Sequence, residues 1–202
     1  MARARVLVLL VFIALCMGAA GFYLARRLDH SRLELTSGTW LPAPRSVGDF
    51  TLEDQSGTPF TQSRLAGAPA LVFFGFTHCP DVCPTTLFKL TQIRRAAAIQ
   101  DLRVLFVSVD PARDTPPLLA RYLSSFDPAF IGLTGTSDAI ARLTRRFGVA
   151  FERVALPGGD YTMDHSAVLF LLDRRARIVA VFTPPFDVAK LSADLRKAAT
   201  AL

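Results

Sequence analysis

The stretch Ala70-Leu71-Val72-Phe73-Phe74-Gly75-Phe76-Thr77-His78-Cys79-Pro80-Asp81-Val82-Cys83-Pro84 decides how this chain is read. Its first seven residues form a nearly unbroken apolar run, the pattern of a strand buried on both faces. Two cysteines follow with three residues between them, and each precedes a proline. A residue before proline avoids the α region, so Cys79 is expected to be extended and Cys83 to lie just outside a helix. Pro84 then suits the first helical position, where its missing N–H costs nothing. Both sulfurs fall in a short strand-to-helix loop, with Cys83 near a helix N-terminus whose partial positive charge favours thiolate. Such a pair either closes a disulfide or clamps a soft metal.

Outward from this loop the apolar spacing alternates between the two regular periods. Phe50-Thr51-Leu52 and Pro59-Phe60-Thr61 flank Asp54-Gln55-Ser56-Gly57 as a small hairpin. After the cysteines, Leu87, Leu90, Ile93 and Ala97 recur at helical intervals. Val104 to Val109 is a second buried strand, and Thr115-Pro116 opens a helix through Leu119, Tyr122 and Leu123. Phe130 to Leu133 is a short strand. Ser137-Asp138 starts a helix with Ile140, Leu143 and Phe147 on one face and Gly148 as its stop. Val168 to Leu172 and Ile178 to Phe182 read as a hairpin, and Val188 to Ala201 as a closing amphipathic helix. This order implies a mostly parallel central sheet with an antiparallel hairpin and helices on both faces. With a cysteine pair at a strand-to-helix junction, it predicts a thioredoxin-like α/β fold.

The chain has 202 residues, enough for one domain with appendages. Val6 to Ala25 is an uncharged, mostly apolar run, framed by Arg3 and Arg5 before it and by Arg26 and Arg27 after it. At about 1.5 Å per residue it matches the roughly 30 Å hydrocarbon core. Gly18-Ala19-Ala20 resembles a cleavage site, but the run continues through Phe22, Tyr23 and Leu24, which favours an uncleaved anchor. The expected organisation is a transmembrane anchor over 1–27, a linker over 28–45 and a domain over 46–202. The short N-terminal tail places the domain on the exported side of the membrane. The net charge of +6 owes much to those four flanking arginines, and the near-balance that remains gives no reason to expect a nucleic-acid partner. Of three cysteines, Cys16 lies in the apolar run, so the exported domain keeps a single pair. One pair is no disulfide scaffold; it is redox-active or metal-binding.

Thioredoxin-type oxidoreductases separate their cysteines by two residues, whereas Pro80, Asp81 and Val82 intervene here. The wider loop permits a disulfide and also leaves room for an ion. Asp81 opposes extra thiolate charge unless a cation shares the loop. His165, in Tyr161-Thr162-Met163-Asp164-His165-Ser166, precedes a buried strand and faces the same sheet end as the cysteines. Oxidoreductases of this fold carry a cis-proline there, and here the nearest upstream proline is Pro157. Two thiolates and one imidazole suit Cu(I), whereas Zn(II) normally requires a fourth ligand. His78, next to Cys79, points to the opposite face and reads as structural, Met163 as a core or loop residue, and His30 as linker. In Asp110-Pro111-Ala112-Arg113-Asp114-Thr115-Pro116, Asp114 and Thr115 read as a turn and helix cap. Asp110 ends the strand beside the cysteine strand and could orient a ligand or meet a partner. No phosphate loop, serine–histidine–acid constellation or paired-acid hydrolase pattern occurs.

Gly75-Phe76-Thr77-His78-Cys79-Pro80-Asp81-Val82-Cys83-Pro84, Ser108-Val109-Asp110-Pro111-Ala112-Arg113-Asp114-Thr115-Pro116 and Asp164-His165-Ser166 together resemble the SCO/SenC family. Its members are membrane-anchored, thioredoxin-fold copper proteins of cytochrome c oxidase assembly. The resemblance runs from about Val47 to the C-terminus, with the three motifs in family order. It implies copper ligation by Cys79, Cys83 and His165, and a role in partner interaction or copper transfer for Asp110. The loop Leu156-Pro157-Gly158-Gly159-Asp160 is short beside some relatives. The resemblance implies a non-enzymatic copper chaperone on the bacterial cytoplasmic membrane, its domain facing the periplasm. It would take Cu(I), or Cu(II) once a further ligand joins, from a copper donor protein and pass it to the copper-site subunit of cytochrome c oxidase. A thiol reductant would keep the cysteines open. The rival reading is a thiol-disulfide oxidoreductase that uses Cys79 and Cys83 to keep the oxidase subunit's own cysteines reduced. A peroxidase of the same broad fold is a weaker third, having no need of His165.

Overall fold

The computed structural model describes residue 5, residues 13–23 and residues 33–202. Residues 13–23 are helical (α1). The expected anchor over Val6 to Ala25 therefore lies only partly within the described residues, and His30 lies outside them. Among the described residues no helix is long and apolar enough to cross a membrane. The chain divides into two compact units, Met1–Glu34 and Leu35–Leu202.

The second unit is built on an eight-stranded sheet in the order β1-β10-β9-β4-β5-β6-β2-β3. Its centre is parallel. β4 (Ala70–Gly75) pairs with β5 (Arg103–Ser108), and β5 pairs with β6 (Ile131–Thr134). The helices α2 (Val82–Ala97) and α3 (Pro116–Ser124) make the two crossovers. On one side β4 pairs antiparallel with β9 (Leu169–Leu172), which pairs with β10 (Arg177–Phe182). On the other, β6 pairs with β2 (Thr51–Asp54), which pairs with β3 (Pro59–Thr61). Every residue of β4 is buried, as its uninterrupted apolar run predicts for a central strand.

Successive side chains of β4 take opposite faces, and this sorts the helices. Phe73 meets Phe106, which meets Tyr122 of α3. Phe74 meets Phe147 at the end of α4 (Ser137–Phe147). Helices therefore cover both faces, and α5 (Val188–Ala198) packs beside α2. Gly148, in the left-handed region at φ 75°, ends α4 as the sequence predicts. This is the expected thioredoxin-like arrangement.

Three local expectations give way. The stretch read as linker over 28–45 becomes strand from Gly38: β1 (Gly38–Ser46) pairs antiparallel with β10 along the sheet edge. Its register slips between Trp40 and Arg45, where Pro42 and Pro44 lie, and prolines are tolerated in an edge strand. The chain enters this strand pinned to α5, because the buried Asp194 accepts hydrogen bonds from the N–H groups of Thr36 and Ser37 and from the Ser37 hydroxyl. Second, α2 begins at Val82, so Cys83 lies inside its first turn instead of just before it. Pro84 fits there because first-turn N–H groups have no intrahelical acceptor. Third, residues 151–165, with no strand predicted, form a separate hairpin of β7 (Phe151–Ala155) and β8 (Tyr161–His165).

Candidate metal centre

The floor of the site is the C-terminal end of β4, and its closeness of packing is set by Gly75. A Cβ at Gly75 would stand 2.9 Å from Cys83 Sγ and 2.7 Å from the Phe106 ring, so only glycine lets the sulfur lie against the strand. Cys83 is fully buried, while Cys79 is half-exposed in the loop above it. The Cys83 N–H donates to Cys79 Sγ at 3.3 Å. It is thus Cys79, not Cys83, whose sulfur receives the orphan donor at the helix N-terminus. The thiols split accordingly. A hydrogen bond from the Cys83 thiol is the largest influence holding Cys79 down at about 4, against the effect of burial, with His165 and nearby backbone N–H groups adding to it. Cys83, as that donor and as a buried group, is pushed up. Of the reduced pair, Cys79 is the sulfur that ionises more readily.

His165 ends β8 and brings the third donor. Its Nε2 lies 3.5 Å from Cys83 Sγ, and its Nδ1 lies 3.3 Å from the Ser166 carbonyl oxygen. The tautomer with its proton on Nδ1, donated to that carbonyl, would leave the Nε2 lone pair free for a metal at the sulfur side. The imidazole sits edge-on between Phe73 and Phe76, with ring centroids 6.2 and 5.9 Å away. Metal–sulfur and metal–nitrogen bonds of roughly 2.3 and 2.0 Å at tetrahedral to trigonal angles set their donors about 3.5–3.7 Å apart. The Cys83–His165 approach already has that span. Among the described residues no group of three or more His, Cys, Asp or Glu side chains forms a ready-made metal cage. The donor chemistry fits a soft ion of low coordination number, and closing a ring of three donors falls to the exposed Cys79 loop.

Behind the cysteine loop stands Asp114, and here the expected helix cap is corrected. Its carboxylate is buried and accepts from the Thr77 N–H at 3.0 Å, the Thr77 hydroxyl at 2.6 Å and the Ser108 hydroxyl at 2.6 Å. It ties the loop to the end of β5. Burial pushes this carboxyl up despite those donors. Thr115 holds the cap position of α3 without a side-chain hydrogen bond. His78 turns toward Thr77 and Asp114, 3.1 Å from the Thr77 hydroxyl and 3.9 Å from Asp114, away from the sulfurs. Met163 lies two residues before His165 on the hairpin.

Asp110 lies at the mouth of the site, yet its side chain is only 3% exposed. Arg113 Nε donates to one oxygen at 2.5 Å and the Tyr161 hydroxyl to the other at 2.8 Å. Each oxygen already accepts a hydrogen bond from within the chain, and burial restricts the approach of a ligand or partner to them. Sequence reasoning passed over Tyr161 and Arg113 as partners of Asp110. No local signal marked them: the hairpin carries a single arginine, Arg153, and Arg113 lies 48 residues before Tyr161.

The chain matches the SCO1/SenC family over residues 40–200. It is 36% identical over 184 residues to the mitochondrial protein SCO2 of Saccharomyces cerevisiae, a match that takes in 88% of this chain and 61% of the yeast protein. An SCO2-like protein of Rickettsia felis is also 36% identical, over 186 residues, 89% of this chain and 91% of that protein. The solved structure of Bradyrhizobium japonicum ScoI with copper bound superposes with a TM-score of 0.68 at 44% identity, covering 74% of this chain and 97% of ScoI.

Proposed function

Because this chain belongs to the SCO1/SenC family, we propose that it is a copper chaperone of cytochrome c oxidase assembly that carries its ion on Cys79, Cys83 and His165. The observation that carries this reading is the approach of His165 Nε2 to Cys83 Sγ at 3.5 Å, with Cys79 Sγ held by the Cys83 N–H beside them. Cu(I) is the cargo that two thiolates and one imidazole suit, and Cu(II) would be held once a further ligand joins. Thiolate ligation releases thiol protons, so uptake is favoured as pH rises. The ion passes by ligand exchange to the dinuclear copper site of an oxidase subunit. A Cys79–Cys83 disulfide removes both sulfur donors, and a thiol reductant restores them.

In the same reading Val6 to Ala25 anchors the chain in the bacterial cytoplasmic membrane, with the domain in the periplasm. Resistance of the full chain to carbonate extraction, lost on deleting residues 1–27, tests this.

A second reading draws on the unequal exposure of the sulfurs. An accessible Cys79 backed by a buried Cys83 is also the layout of an attacking and a resolving thiol, as a thiol-disulfide oxidoreductase requires. Two variants separate the readings. In a competition titration with a chromophoric chelator, His165→Ala is expected to weaken Cu(I) binding by roughly 10- to 100-fold while leaving disulfide reduction intact. An unchanged Cu(I) affinity would remove His165 from the ligand set and favour the reductase.

A further inference from the structure

Neither strand of the β7–β8 hairpin joins the eight-stranded sheet; the two pair only with each other. At the base, beside His165, the Ser166 N–H donates to the Ala150 carbonyl at 2.9 Å. Tyr161 lies at the opposite end of β8, four residues or roughly 13 Å from the imidazole, on the same face of the strand.

Tyr161 is gripped on three sides. Its hydroxyl donates to Asp110 at 2.8 Å. The guanidinium carbons of Arg113 and Arg153 lie 3.7 and 3.6 Å from its ring centroid, so the two cations occupy opposite faces of the ring. Arg113 also donates to the Tyr161 carbonyl at 3.0 Å and reaches Asp160 at 3.4 Å. Asp110 and Arg113 belong to the loop after β5, whereas Tyr161 and Arg153 belong to the hairpin, so this grip fastens the hairpin to the sheet end. The grip is incomplete: Arg113 Nη2 is buried without a hydrogen-bond partner. A buried donor left unpaired weighs against the docked state, which makes this fastening firm but releasable.

We propose that Tyr161, clasped by Asp110, Arg113 and Arg153, is a positioning residue for the metal centre: it docks the hairpin so that His165 meets Cys83. This rests on the ligand set proposed above. With the clasp closed, two sulfurs and an imidazole face one point. With it open, the hairpin is held only at its base, and His165 beside that base loses the orientation that meets Cys83, while Cys83 stays on α2 and Cys79 on its Asp114-pinned loop. A three-donor site becomes a two-sulfur site. The metal–nitrogen bond breaks, and the vacated position accepts a thiolate or imidazole from the recipient, with no change in oxidation state. The clasp thereby sets the order of transfer: the imidazole leaves first and the thiolates last.

The test uses the full chain with Tyr161→Ala and the milder Tyr161→Phe, which keeps the ring between the arginines and removes only the hydroxyl. In the metal-free protein, amide exchange across residues 151–155 and 161–166 is expected to quicken about tenfold or more in Tyr161→Ala and less in Tyr161→Phe, with β4 and α2 unchanged. In the reduced protein, Tyr161→Ala is expected to lower Cu(I) affinity by roughly 10- to 100-fold against a chromophoric chelator. Adding Tyr161→Ala to His165→Ala should lower it no further, because the clasp acts through the imidazole. Additive losses in the double variant, or unaltered hairpin exchange in Tyr161→Ala, would overturn the proposal. Should Tyr161→Ala fail to fold, the same comparisons made with Tyr161→Phe decide it. An unchanged affinity in His165→Ala alone would strike at the ligand set, and exchange in the metal-free protein would still decide the docking.

Discussion

The cysteine loop and the β7–β8 hairpin bring their donors to one place by opposite means. The loop grows out of the most buried strand of the sheet, is backed by Gly75 and pinned by Asp114, and sets Cys83 beyond the reach of water. The hairpin pairs with itself, exposes most of β7 and is fastened mainly through the Tyr161 and Arg113 clasp, with His165 packed against Phe73 and Phe76. Cys83 is fixed in the core, and the proposed clasp makes the imidazole a movable donor. The proposed function requires the chain both to hold its cargo and to release it, and in that reading holding falls to the core and release to the edge.

The comparison breaks most readily at the sulfurs. Removing Cys83 by substitution with serine should cost Cu(I) binding roughly 70- to 900-fold. That follows from sharing roughly 10–16 kcal/mol of structural metal binding among four ligands, about 2.5–4 kcal/mol each. A loss no larger than that of His165→Ala, in the same chelator competition, would put the two regions on an equal footing. Next in size is Asp114→Ala, which strands buried donors on Thr77 and Ser108 and should destabilise the fold by about 2–3 kcal/mol in urea unfolding. A neutral result would mean that the loop is not anchored as described.

Acid provides a control remote from both regions. Burial raises the Asp54 carboxyl, but donors on Ser56, Arg64 and Thr58 outweigh it and hold it at about 2, below the roughly 3.9 of an unfolded aspartate. A depressed folded value contributes stability that is complete above pH ~4 and is lost as pH falls through about 2. Asp54→Asn should therefore cost about 1–2 kcal/mol near neutrality, discounted because Arg64 is partly exposed, and nothing below pH ~2. Urea midpoints across that range check it, and copper affinity at neutral pH should not respond. The smallest expected effect is local. Gly158 turns the hairpin at φ 89°, so Gly158→Ala should cost about 1 kcal/mol of strain. That cost should appear as faster exchange in the hairpin alone, without a fall in global Tm. A global fall would show that the hairpin is part of the core after all.

The same division governs what could be read from the amino-acid sequence. β4, β5 and α2 were legible because a buried strand needs an apolar run and a buried helix face needs apolar residues every three to four positions. Cys79, Cys83 and His165 could be singled out because soft donors in one chain are few. β1 was hidden by Pro42 and Pro44, which mark an edge strand as readily as a linker. β7 and β8 carry Glu152, Arg153 and Asp164 and bury no continuous face, so no period announced them. Asp114 resembled a cap because Asp-Thr-Pro is good local capping chemistry, while its true partner Thr77 lies 37 residues away. The Tyr161–Asp110 bond spans 51 residues and leaves no local trace at either end. Contacts made through the fold are the ones a linear reading loses.

X-ray absorption on the reduced, Cu(I)-loaded full chain tests the account at its centre. The expected first shell holds two sulfur scatterers and one nitrogen, and His165→Ala should remove the nitrogen and leave the sulfurs. A shell of sulfur alone in the unaltered protein, or a nitrogen that persists without His165, would contradict it.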